Sequence, residues 1–114
     1  MPTAGGRGWQ ATGFAYGADL FRVILLCRPT RAVGTVSIRT REIGGSAYDR
    51  DGTVECPAGR RALGGGVDWR KDGAAYVGSL TSSTVTADGR GWYAAADGGA
   101  PGVVLRVRVL CVRK

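Results

Sequence analysis

The chain has no histidine, one methionine, two phenylalanines and four prolines in 114 residues. Zero histidine removes the commonest general base and the Ser–His and Cys–His nucleophile pairs. Three cysteines with no Cys-x-x-Cys spacing leave none of the usual zinc ligand sets, so neither a metal nor a cofactor is expected. No apolar run approaches the roughly 20 residues that carry a helix across a bilayer, and no membrane span is expected. Residues 1–7 hold no apolar stretch ahead of Trp9 and do not read as a secretory signal. No segment sustains an apolar period of 3.6 over the length a helix requires.

Glycine, by contrast, is abundant at 20 residues, against an ordinary usage of roughly 7%. The glycines stand in GG, DG and GGG groups between short apolar runs rich in β-branched and aromatic residues, which marks them as turns and bulges. Strands are predicted near 9–16, 19–27, 34–40, 53–56, 61–69, 75–81, 83–87, 91–96 and 103–111. Turns fall between them, strongest at Asp51-Gly52, Asp72-Gly73 and Asp88-Gly89, where a type I′ hairpin needs positive φ at its centre. The expectation is one all-β domain over 1–114: an antiparallel Greek-key sandwich or β-prism-like fold of about eight or nine short strands.

An internal repeat is also expected. Gly8-Trp9 followed by Leu20–Cys27 recurs as Gly91-Trp92 followed by Val103–Cys111. Residues 1–30 then form a partial copy and 31–114 a complete one. Val103, Leu105, Val107, Val109 and Cys111 alternate with Val104, Arg106, Arg108 and Leu110, the pattern of a half-buried strand with two solvated arginines outside. A truncated first copy should leave an unpaired edge or a subunit contact. A homo-oligomer is therefore expected, a trimer among the possibilities. Cys56 can pair with Cys111, its partner in the complete copy, or with Cys27; three reduced thiols are the remaining alternative.

The net charge of +7 comes from 16 Lys and Arg against nine Asp and Glu. The arginines are spread through the sequence without basic blocks, which argues against nucleic acid and for a solvated basic surface. Asp49-Arg50-Asp51-Gly52 reads as a turn that lacks the further oxygen ligands of a calcium loop. Asp68 to Asp72 reads as a polar hairpin tip carrying Trp69. A flat apolar ring flanked by charged hydrogen-bonding neighbours suits a carbohydrate or partner contact, so Trp69, Arg70, Asp72, Tyr76 and Tyr93 are the candidate ligand-binding residues. The triple glycine Gly64-Gly65-Gly66 suggests close approach of another backbone or of a ring, Trp69 or Trp92.

The stretch Cys56-Pro57-Ala58-Gly59-Arg60-Arg61-Ala62-Leu63-Gly64-Gly65-Gly66, with Gly91-Trp92 and Cys111 beyond it, resembles a known pattern. It is similar to the CPAGxxxLGGG…GW…VxxxC β-repeats of actinobacterial and phage tail- or fibre-type surface proteins. A fainter likeness is to β-prism proteins such as vitelline membrane outer layer protein. The first copy here lacks its own Cys-Pro-Ala-Gly. The resemblance implies an extracellular or particle-surface binding module, commonly a homo-oligomer, and the aromatic and arginine residues make a surface glycan or acidic partner the expected contact. It brings no catalytic residues. The alternative is a small β-barrel, cyclase-like biosynthetic enzyme acting through a shaped apolar pocket, for which a cavity of roughly 300 Å3 or more is required.

Overall fold

The computed structural model describes residues 1–11, 27, 34–76 and 78–113. Seven strands form among them: β1 (Val36–Ile43), β2 (Asp49–Glu55), β3 (Arg60–Lys71), β4 (Ala74–Tyr76), β5 (Ser79–Val85), β6 (Gly91–Asp97) and β7 (Val103–Arg113). They make two antiparallel sheets, one of order β1-β7-β3-β4 and one of order β2-β6-β5. The architecture is all-β, and the described residues form a two-layer sandwich. The predicted strands near 9–16 and 19–27 lie almost wholly outside the described residues.

β7 is the spine. Val103, Leu105, Val107, Val109 and Cys111 are all buried on the side facing the second sheet, as the alternation predicted. Across the sandwich they meet Val54, Ala94 and Ala96, with Trp69 and Cys56 completing the core. Small alanines on β6 let the two layers approach. Cys56 and Cys111 are joined by a disulfide that ties the start of the β2–β3 connection to β7. Of the pairings left open by the sequence, this is the one formed, and Cys27 is exposed and free.

The triple glycine behaves as a three-way contact. Gly65 faces inward, where a Cβ would run into the Trp92 ring and sit 2.6 Å from the Arg108 carbonyl oxygen. Gly64 and Gly66 face outward under Trp9 and Met1. The bulge falls just before them, between Ala62 and Gly64. At the other end of β3, Asp72 and Gly73 both take positive φ, 50° and 76°, as the hairpin predicted.

Two expectations are corrected. Asp51-Gly52 is no turn: it lies in the middle of β2, and the chain reverses instead over residues 44–48. A Cβ at 52 would displace the flexible end of the Ile43 side chain. The break predicted near residue 82 falls earlier, around Gly78, whose bare Cα sits against the Trp69 indole. The two tryptophans of the apparent repeat occupy unlike places: Trp9 bridges to Pro2 and is 37% exposed, whereas Trp92 is paired within β6 and lies between the layers. No repeat is visible among the described residues.

Candidate binding surface

The predicted contact residues do not converge. Trp69 is 3% exposed, because β3 continues through Lys71 and carries the indole into the core rather than to a tip. Its partner in register is Tyr76 on β4, half-buried against the same cluster. Arg70 turns to the other face, donating through Nη2 to the Gly73 carbonyl (2.5 Å) and lying 3.9 Å from Asp68. Asp72 is exposed in the turn. Tyr93 belongs to the opposite sheet altogether.

Trp69 instead helps hold a buried cation that the sequence did not single out. Arg50 is 5% exposed and its guanidinium stands 5.4 Å over the Trp69 ring. It donates to the carbonyls of Ala47 (2.9 Å), Ile43 (3.3 Å), Gly45 (2.8 Å), Ala100 (2.8 Å) and Val103. No carboxylate pairs with it among the described residues. One side chain thus gathers the β1–β2 loop, the β6–β7 loop and the start of β7.

Arg106 and Arg108 do face outward on β7, but neither is freely solvated. Arg106 makes a bidentate pair with Asp68 directly opposite on β3 (3.0 and 2.7 Å). Arg108 is 8% exposed beneath the N-terminal residues and donates to Thr40 Oγ1 (3.1 Å) and the Pro2 carbonyl (3.3 Å). Burial, then the neighbouring Arg106, lowers its pKa from the ordinary arginine value.

The surface with the most usable chemistry is the outer face of the β2-β6-β5 sheet. Register sets Thr53, Tyr93 and Thr84 side by side across three strands. The Tyr93 hydroxyl donates to Asp51 Oδ2 at 3.2 Å; desolvation, then that carboxylate, raises the phenol above its usual pKa. One step along, Asp49 and Asp97 stand directly opposite. A hydrogen bond from the protonated Asp97 carboxyl to Asp49, followed by desolvation and mutual charge, raises Asp97 above the ordinary carboxylate value. With Glu55, four carboxylates share this face, and no Lys or Arg occupies an outward position on its strands.

A cleft of about 240 Å3 opens between the edge strand β5 and the length of β3 ahead of its pairing with β4, lined by Met1, Trp9, Gln10, Leu80 and Ser83 among others. Asp68, its acidic member, is already paired with Arg106. No group of three or more acidic, cysteine or histidine side chains suited to a metal occurs among the described residues. No helix of the described residues is long and apolar enough to cross a membrane. No protein-family model, curated protein or solved structure matches this chain.

Proposed function

We propose that the chain is a non-catalytic binding module that contacts a glycan through the outer face of the β2-β6-β5 sheet, centred on Tyr93. One observation carries this reading: an aromatic ring sits between Thr53 and Thr84 on the outer face of a sheet, with Asp51 hydrogen-bonded to it and Asp49 and Asp97 alongside. A sugar ring offers an apolar CH face and vicinal hydroxyls. The phenol suits the first, and carboxylate and threonine oxygens accept from the second. The resemblance of residues 56–111 to surface and particle repeats agrees with such a role and with a homo-oligomeric setting. The enzyme alternative gains no comparable support, since side chains fill the space between the layers and the cleft falls short of 300 Å3.

A glycan array with the intact domain, followed by titration of the hits, tests the reading. Tyr93→Ala and Asp51→Asn should each weaken binding about tenfold or more while near-UV circular dichroism stays unchanged. A wild-type domain that binds no glycan, or hits indifferent to both substitutions, would refute it. Light scattering at several concentrations measures the oligomeric state independently.

A further inference from the structure

We infer that the open edge of β5 is a self-association site, which pairs antiparallel with β5 of a second copy about a two-fold axis. The two layers are unequal: β1-β7-β3-β4 has four strands and β2-β6-β5 has three. β5 pairs with β6 on one side, and among the described residues no strand takes the other. On that side of the sandwich β4 pairs with β3 only from Trp69 to Lys71. The cleft lies in the gap this leaves, with Leu80 and Ser83 of β5 on one wall and Val67 of β3 on the other.

Register shows what the gap does to the core. Leu80, Ser83 and Val85 stand opposite Ala96, Ala94 and Trp92 of β6, and cross-strand partners share a face. The alanines are buried between the layers, yet on the same face Leu80 is 56% and Val85 45% exposed. Ser83 is exposed too, and its hydroxyl accepts from Trp92 Nε1 at 2.9 Å. These side chains have the inward orientation without a layer to meet. A strand added beside β5 would roof the cleft and remove both apolar side chains from water.

Charge selects the occupant. Sheets blunt their open edges with charged side chains, proline or very short strands. β1 carries Arg39, Arg41 and Glu42, β2 carries Asp49, Asp51 and Glu55, and β4 has three residues. β5 runs for seven residues, SLTSSTV, with no charge, proline or glycine. Against β1 or β2 of another copy it would oppose charged side chains; against itself it opposes hydroxyls and apolar groups. The net charge of +7 works against contact between copies, which favours the uncharged edge over the charged ones. A two-fold axis normal to the sheet keeps both inward faces on one side, so each copy's Leu80 and Val85 help cover the other's cleft. The pair closes, because one edge is both template and guest.

Sedimentation velocity on the whole domain from about 1 μM to about 1 mM tests this, with amide hydrogen exchange at both ends of the range. A monomer–dimer equilibrium is expected, in which dimer formation slows exchange over 79–85 and leaves 36–43 unchanged. L80K and V85K each put a charge on the uncharged edge and should weaken the dimer about tenfold or more, with near-UV circular dichroism unchanged. Y48K adds the same charge at an exposed position elsewhere and should change it less than about twofold. A wild type that stays monomeric throughout would overturn the inference, as would a dimer whose protection lies outside β5. Equal effects of L80K and Y48K would reduce the contact to general charge repulsion and overturn the edge. A monomer whose β5 amides gain protection from an added extended peptide of another sequence would overturn the second copy as occupant. Tyr93→Ala lies on the outer face and should leave the dimer unchanged, so this outcome stands apart from that of the glycan surface.

Discussion

Replacing Arg50 by methionine should destabilise the domain by about 3 kcal/mol, although the substitution keeps much of the side-chain volume and removes a buried charge. The magnitude comes from opposing terms. The bond to the Val103 carbonyl is fully buried, and leaving that oxygen without a donor costs about 1–3 kcal/mol. The other four carbonyls are part-buried, so water can replace the guanidinium, and each forfeits about 0.5–1 kcal/mol. Loss of the cation over Trp69 adds about 1 kcal/mol. Against these, a buried cation without a carboxylate carries a desolvation penalty of several kcal/mol, which methionine relieves. Arg50→Lys keeps the charge but has three donors and no planar fork, so it should fall between wild type and methionine. Urea unfolding followed by tryptophan fluorescence and near-UV circular dichroism, with matched m-values, measures all three. A methionine variant within 0.5 kcal/mol of wild type would show that the five carbonyl contacts contribute nothing net.

Removing the Cys56–Cys111 disulfide, which closes a sequence separation of 55, should cost about 4 kcal/mol on the chain-entropy model. Urea melts with and without reductant read it, and an unchanged midpoint would contradict the loop-closure account. Gly65→Ala should destabilise by about 2–3 kcal/mol through overlap with Trp92, while Gly44→Ala, with open space around it, should stay within about 0.5 kcal/mol; thermal melts compare them. The acid limb should carry two opposite contributions. Asp97 has a raised folded pKa, so its contribution is fully present below the unfolded value and is lost as pH rises through the folded one. Asp88 is lowered, chiefly by the Thr86 hydroxyl and then the Arg90 N–H, so its contribution is present above the unfolded value and lost as pH falls through the folded one. Melting temperature against pH for Asp97→Asn and Asp88→Asn should therefore diverge from wild type in opposite senses.

Much of the fold was legible because it is written in local alternation. The inward face of β7 follows from period two alone, whereas the burial of Arg108 and Val112 on the outward side does not. Asp72-Gly73 and the close packing on Gly65 likewise depend on few neighbours. Asp51-Gly52 misled for the converse reason. Its turn chemistry is real, yet pairing of β2 with β6 over seven residues outweighs it, and the glycine leaves room for the end of the Ile43 side chain. Trp69 was placed at a tip because Asp68, Arg70 and Asp72 surround it in sequence. On a strand those neighbours point away from it, so a polar environment in sequence becomes an apolar one in space. Tyr93 was singled out, but the Thr53 and Thr84 beside it come from other strands.

What stayed hidden is polar and long-range. The carbonyls that hold Arg50 lie up to 53 residues away, and the Pro2 carbonyl that Arg108 reaches is 106 away. No periodicity encodes such a partner, since a backbone oxygen is the same at every residue. A sequence pattern distinguishes an inward arginine from an outward one only when the strand assignment is already right. Arg50 has inward parity on β2 beside Gly52 and Val54, so recognising 49–55 as a strand would have placed a cation between the layers. From there the demand for carbonyl acceptors follows, because a guanidinium in that space has five donors to satisfy and no carboxylate to meet. The clamp was thus concealed by one misplaced turn, and the cation adds its five bonds to the backbone contacts that Gly98 and Gly99 make with the Tyr48 carbonyl.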